Sequence, residues 1–246
     1  MQCNSSSHCK LRITFDTNTL DPVTQPELAG AMSADCRVIH QALASETLEG
    51  SFCETILTVE GGRGSLRPEV VARANRALDL GMRMLRAPRI NGVRINDPSG
   101  DLYCKDPDQE ALSTRLKRYE AITSAIEARG LGFAQAAKVA GLLTDRASGA
   151  QSGDVKPGRE SDRRSINEVA RAIAEWADGD SIAAHYAYAG DLFCTEDRAR
   201  KAGASSVMHP SHRAWLGRAF AVKLVTIAGL AQLIRRDDMP MSRTAR

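Results

Sequence analysis

Aromatic side chains are scarce in this chain: Phe, Tyr and Trp together make up 4% of its 246 residues. A core built on packed rings is excluded, so Leu, Ile, Val and Ala must supply most of the apolar volume. Hydrophobic residues reach 43%, which is enough for a sizeable core. Cysteine is not organised. Cys3, Cys9, Cys36, Cys53, Cys104 and Cys194 are scattered, with no Cys-x-x-Cys pair. In a chain this long and core-rich, that pattern argues against a disulfide framework. No apolar run is long enough to cross a bilayer, since the longest, Ala219 to Ile234, is interrupted by Lys223 and Gln232. The start lacks the basic and then apolar pattern of a signal peptide. The expectation is a cytoplasmic protein with no membrane contact. Neither sign of charge dominates: 33 Lys and Arg stand against 30 Asp and Glu, a net +3. Such a balance permits a polyanionic partner without demanding one.

Two nucleotide-binding devices are also missing. A dinucleotide fold needs Gly-x-Gly-x-x-Gly after its first strand, and Asp16-Thr17-Asn18 stands there instead. No Walker-type loop is present. No internal repeat is visible.

What is present is an alternation of short apolar runs with helical patterns. Residues 11–15 read as a buried strand, bounded by turn formers at Asp16-Thr17-Asn18 and Asp21-Pro22. A helix is expected from Pro26 to Ser45, a second strand over Leu48–Cys53, and a helix from Pro68 to Leu85. Residues 86–108 read as irregular, with a hairpin joining Val93-Arg94-Ile95 to Leu102-Tyr103-Cys104. Helices follow over 109–130 and Phe133–Leu143, then a mobile loop over 144–164. Ile166–Ala177 reads as a helix, Gly179-Asp180-Ser181 as the opening of another, and Asp191–Thr195 as a strand. Ser205–Met208 is expected as a short strand, Pro210–Phe220 as a helix, Ala221–Ile227 as a strand and Ala228–Arg236 as a closing helix. Alternation of this kind predicts an α/β fold with a parallel sheet covered by helices on both faces. The chain divides into one domain over 11–236, with frayed ends at 1–10 and 237–246 and a helical insertion at about 61–164.

Acids recur at the ends of the apolar runs. Asp16 ends the first strand, Glu54 follows the second, Asp180 lies at the expected helix start, and Asp197 follows the strand at 191–195. Each taken alone is ordinary, because Asp caps helices and fills turns. Taken jointly, acids at the carboxyl edge of a parallel sheet sit where open α/β sheets bind ligands. Several carboxylates held together suit a hard cation, and hard cations bring phosphate chemistry.

These segments resemble PIN-domain nucleases. Asp16-Thr17-Asn18 after an apolar strand resembles the opening motif of that family. Asp180-Ser181-Ile182-Ala183-Ala184 resembles its helix-opening Asp, and Leu192-Phe193-Cys194-Thr195-Glu196-Asp197 its strand ending in Thr-x-Asp. Val222 to Ile227 and the following helix resemble the elements that close the fold. The resemblance covers residues 10–60 and 165–236. It implies a Mg²⁺- or Mn²⁺-dependent endoribonuclease, with Asp16 and Asp180 as direct ligands and Asp197 and Glu54 completing the shell. Glu49 and Glu60 compete with Glu54 for its role. Asn18, Ser181 and Thr195 would orient ligands or phosphate. Arg198, Arg200 and Lys201 are the candidate nucleic-acid contacts. The partners implied are RNA and, for some family members, an inhibitory protein of the antitoxin kind, and a homodimer is left open.

Other features carry less. Arg146, Lys156, Arg159, Arg163 and Arg164 form a basic cluster whose simplest reading is a solvated loop. His209-Pro210-Ser211-His212 reads as a surface loop, Cys3, His8 and Cys9 as a disordered end, and His185 and Tyr186 as core or rim of their helix. Two rival functions stand beside the nuclease. One is a PIN-like scaffold that binds RNA or protein without cutting. The other is a metal-dependent phosphatase, for which the acid usually placed two residues after the first is here Asn18.

Overall fold

The computed structural model describes residues 10–59, 67–89, 100–149, 159–199 and 203–236. Its centre is a parallel sheet. Strands β1 (Leu11–Phe15), β2 (Leu48–Cys53), β3 (Arg83–Leu85), β4 (Leu192–Cys194) and β5 (Leu224–Val225) lie in the order β3-β2-β1-β4-β5. The register brings the strand ends into line: Phe15 pairs with Phe52 and Cys194, Cys53 with Leu85, and Cys194 with Val225. Asp16, Glu54 and Thr195 follow directly, so all three leave the carboxyl edge of the sheet.

Helices cover both faces. On one face Leu11, Ile13 and Phe15 of β1 pack with α1 (Thr17–Thr24), α2 (Ser33–Ala44), α4 (Pro68–Asp79) and α9 (Ile227–Arg235), burying Leu20, Ile39, Ala74 and Leu230. On the other, Phe193 of β4 packs with α5 (Gln109–Glu127), α7 (Arg159–Ala187) and α8 (Pro210–Phe220), burying Ile122, Ile182 and Leu216. Helix α3 (Thr55–Val59) follows β2, and α6 (Phe133–Gly149) packs along α7. The three-layer arrangement is the one that strand–helix alternation predicts.

The second face of β1 is polar, unlike a typical central parallel strand. Thr14 Oγ1 lies 3.2 Å from Ser51 Oγ and 2.9 Å from His185 Nδ1. Buried His185 therefore has its partner inside the core, as a core residue of its helix. Burial lowers its pKa to about 4, so it is neutral at pH 7.

Several elements differ from the sequence expectation. Residues 17–24 form a helix rather than a turn, because the Asp16 carboxylate caps it by accepting from Thr17 N. The stretch after Pro26 begins as two 3-10 turns and becomes α-helical only at Ser33. The helix from Pro68 stops at Asp79. Gly81, at φ +85°, lets Met82 N reach Ala77 O, and the chain turns into β3. Within 61–164 the described residues thus contribute an edge strand and its flanking helices to the sandwich. Tyr103 bridges Met84 in parallel, and the other half of the expected hairpin, Val93-Arg94-Ile95, lies outside the described residues. Helix α6 extends to Gly149 and α7 begins at Arg159, so Arg146, Arg159, Arg163 and Arg164 lie on helices. Lys156, residues 1–9 (with Cys3, His8 and Cys9) and residues 237–246 lie outside the described residues. Residues 203–208 form a 3-10 turn and bends in place of a strand.

The largest difference concerns residues 166–187. They belong to one continuous helix, α7, and Gly179 sits inside it rather than at a break. A Cβ at Gly179 would stand 3.3 Å from the Gly132 Cα, so the missing side chain lets the α5–α6 connection pass close by. Packing of this kind is the usual reason a helix tolerates a glycine.

Candidate functional site

At the carboxyl edge, between α1, α3, α4 and α7, lies a cleft of about 580 Å³. Asp16, Asp178 and Asp197 line it, from the end of β1, the middle of α7's last turns and the loop after β4. Asp16 is the best-anchored of the three. Its Oδ1 accepts from Thr17 N at 2.8 Å, and its Oδ2 accepts from Asn18 Nδ2 at 2.8 Å and from Thr195 Oγ1 at 2.6 Å. Thr195 Oγ1 also accepts from Asp197 N at 3.0 Å, and Asn18 Oδ1 accepts from Glu196 N at 3.1 Å. These bonds stitch the β1 loop to the β4 loop and hold Asp16 and Asp197 at one edge. Asp197 Oδ1 in turn accepts from Ala199 N at 2.7 Å.

Asp178 has no such support. Among the described residues its carboxylate accepts no hydrogen bond. Burial raises its pKa well above the usual carboxylate range, and the charges of Asp16, Glu175 and Asp197 push it further. Asp16 is raised too, chiefly by burial, with the bonds from Thr195, Thr17 and Asn18 pulling back and Asp197 adding to the rise. Glu175, one turn before Asp178, is buried and accepts from Val207 N at 3.2 Å, which fastens the loop after β4 to α7.

Sequence reasoning named Asp180, and the structure puts it elsewhere. Residues two apart on a helix are about 200° apart around its axis. Ala174, Ala177, Asp178 and Ser181 share the cleft face, and Asp180 faces the opposite side. Its carboxylate is fully buried, 2.6 Å from Arg89 Nη2 and 3.1 Å from Trp176 Nε1, and Arg89 also pairs with Glu127. Burial raises the Asp180 carboxyl while Arg89 opposes the rise. Pinned in this way, Asp180 does not join the other acids. Asp178 was legible only once the helix was known to run through Gly179. The spacing of Ala174, Ala177, Asp178 and Ser181 is the signal that could have found it.

Glu54 is also turned away. Its Oε1 accepts from Ala87 N at 2.6 Å, tying the end of β2 to the chain beyond β3, and the neighbouring Thr55 and Ile56 line the cleft instead. Glu49 lies near the start of β2 opposite Arg12, away from the carboxyl edge, and Glu60 lies outside the described residues. Ser181 does line the cleft, with its Oγ 2.9 Å from Thr55 Oγ1. Asn18 and Thr195 both donate to Asp16 Oδ2. Arg198 is exposed beside Asp197, and Arg200 and Lys201 lie outside the described residues. His209 caps α8 by accepting from Ser211 N, and His212 Nε2 lies 3.0 Å from Ala204 O, so neither histidine faces the cleft acids.

The donor set is all oxygen, which suits Mg²⁺ or Mn²⁺. Among the described residues, no three Asp, Glu, His or Cys side chains form a ready-made metal-holding group. These residues offer no all-protein cage, whereas Mg²⁺ is usually held by one or two carboxylates and completed by water and substrate phosphate. No protein-family model, curated protein or solved structure matches this chain.

Proposed function

We propose that this protein is a PIN-like, Mg²⁺- or Mn²⁺-dependent nuclease that hydrolyses phosphodiester bonds, with RNA as its substrate. The observation that carries the reading is Asp178. Among the described residues it is a carboxylate that accepts no hydrogen bond, in a cleft at the carboxyl edge of a parallel sheet that Asp16 and Asp197 also line. Crowded carboxylates of this kind cost stability unless a cation joins them. Asp16 and Asp178 are the proposed direct ligands, and Asp197 completes the shell directly or through water. Asn18 and Thr195 fix the orientation of Asp16. A bound divalent ion lowers the pKa of water and neutralises charge developing on the attacked phosphate.

That no three such side chains among the described residues form a metal-holding group favours a second reading, a PIN-like scaffold that binds RNA without cutting. A phosphatase finds less support, because Asn18 is an amide committed to Asp16 Oδ2 and cannot exchange a proton with a leaving group. Purified protein with Mn²⁺ and a generic single-stranded RNA separates the readings. The nuclease cuts, and the Asp16→Asn and Asp178→Asn variants do not. Binding without cutting selects the scaffold, and equal cutting by the variants rejects the site.

A further inference from the structure

The second sheet face changes character along its strands. Near the carboxyl edge it is apolar core, with Cys53, Leu85 and Phe193 packed with Ile122 of α5 and Ile182 of α7. Nearer the amino ends, side-chain alternation puts Arg12 and Thr14 of β1, Glu49 and Ser51 of β2 and Arg83 of β3 on that same face. Internal parallel strands are normally apolar on both faces. Here a row of charges, Arg12, Glu49 and Arg83, lines a cavity of about 310 Å³. One wall is the segment 101–105, held beside β3 because Met84 N donates to Leu102 O at 2.8 Å and Cys104 N to Met84 O at 2.9 Å. Tyr188 and Gly190, from the turn between α7 and β4, form another. The cavity shares no lining residue with the acid cleft.

The opposite charges in this row do not meet. Glu49 is the register partner of Arg12 on a strand that also adjoins β3. Among the described residues its carboxylate nevertheless accepts no hydrogen bond and forms no ion pair. Arg12 turns away and donates from Nη2 to Ala189 O at 2.5 Å. Arg83 spends one nitrogen, Nη1, on its own turn, at 3.1 Å from Met82 O and 3.4 Å from Gly81 O, so its Nε and Nη2 carry no bond among the described residues. Lys105 and Asp101, the other charges lining the cavity, pair with each other at 3.2 Å. The fields of Glu49 and Arg83 still converge on one wall. Burial pushes the Cys104 thiol up to about 12, the Glu49 charge adds to the rise and the Arg83 charge opposes it. A carboxylate and a guanidinium thus stand at one cavity without being matched to each other.

We propose that this cavity binds a small zwitterion of the amino-acid class, its ammonium on Glu49 and its carboxylate on Arg83. A ligand of one charge would satisfy one of these groups and leave the other, whereas a ligand carrying both satisfies the two together. The open Nε and Nη2 edge of a guanidinium suits the two oxygens of a carboxylate. The volume is at the low end for small-molecule sites, which admits one small molecule and not a polymer. The site goes beyond the nuclease reading and does not depend on it.

Calorimetry on the full chain without metal, titrated with each of the common L-amino acids in turn, tests this. At least one is expected to bind in the micromolar to millimolar range. For the best binder, the N-acetyl derivative loses the ammonium charge and the α-amide loses the carboxylate charge. Each is expected to bind roughly tenfold or more weakly, the range for a lost charge-assisted hydrogen bond. Glu49→Gln weakens the parent amino acid by a similar factor and leaves the N-acetyl derivative unchanged. Arg83→Gln weakens the parent likewise and leaves the α-amide unchanged, as directly coupled pairs do. Glu69→Gln, which alters an exposed glutamate of α4 on the other sheet face, behaves as wild type. No binding of any amino acid up to about 10 mM would overturn the proposal. So would either derivative, or inorganic phosphate, binding as tightly as the parent. A parent affinity that Glu49→Gln and Glu69→Gln leave equally unchanged would also overturn it, because the ligand would then sit elsewhere. Glu49 and Arg83 are both exposed, so their substitution spares the core. The derivative series uses wild type alone and decides if either variant fails to fold.

Discussion

Asp178 and Asp180 lie two residues apart on one helix and face opposite environments. Asp178 opens on a cleft shared with Asp16 and Asp197, while Asp180 is closed against Arg89 at 2.6 Å. The buried pair locks the rotation of α7 about its axis, and that rotation is what aims Asp178. One aspartate thus positions the other from behind.

Substitution should separate the two roles. Asp178→Asn is expected to cut Mn²⁺-dependent cleavage roughly a hundredfold or more, the scale for removing a group that stabilises developing charge. It should also stabilise the metal-free protein by about 1 kcal/mol, because it removes an unsupported charge from among three others. Asp180→Asn is expected to destabilise by about 2–3 kcal/mol, since it leaves Arg89 half-paired against the core. Urea denaturation without metal checks both signs, and a destabilised Asp178→Asn would show that the carboxylate has a structural partner.

The acid cluster gives metal-free stability a pH dependence of definite sign. The folded-state pKa values of Asp16 and Asp178 lie above the ordinary value of 3.8. The folded state therefore holds protons that the unfolded state has already lost, and stability falls as pH rises above about 4. Under the proposed function Mn²⁺ would compete with those protons and flatten the fall. Thermal melts from pH 4 to 8, with and without Mn²⁺, are expected to diverge as pH rises. Parallel curves would place the ion elsewhere.

The sandwich was legible because strand–helix alternation and apolar runs report it directly. Leu11–Phe15 and Leu48–Cys53 lie where the sequence puts them. The site was only partly legible. Asp16, Asn18, Thr195 and Asp197 adjoin strand ends, and strand ends are visible in sequence. Asp178 sits in a helix interior, where its direction depends on the helix phase, and Gly179 masks that phase by reading as a break. The close approach of Gly132 that explains Gly179 is a long-range contact, and so is the Arg89 bond that removes Asp180 from the site. Local pattern carries neither. β3 was missed for a local reason, since the cap at Gly81 lies between two apolar stretches that read as one helix.

His185 sets a second pH effect, with the opposite sign. Its folded pKa is about 4 against an unfolded value near 6.5. The unfolded state therefore binds an extra proton between those values, so the stability is present above pH 6.5 and is lost as pH falls towards 4. The full effect is up to about 3 kcal/mol. His185→Gln keeps a hydrogen-bonding group near Thr14 but does not titrate. The stability difference between wild type and variant should shrink as pH falls from 7 to 4. A constant difference would mean that the imidazole charges in place.

Gly190 is required by the same histidine. A Cβ there would lie 2.4 Å from His185 Nδ1 and 2.5 Å from Cε1, with Thr14 Oγ1 at 3.3 Å. The ring cannot yield freely, because Nδ1 holds Thr14 and the ring packs edge-on against Phe193. Gly190→Ala should therefore cost about 1–3 kcal/mol, the usual range for overpacking a filled site. If contact with the ring is the cause, His185→Ala should remove most of that cost when the two changes are combined. The two substitutions then fail to add, as neighbours that share one space do. Equal costs for Gly190→Ala with and without His185 would assign the effect to the backbone turn between α7 and β4 instead.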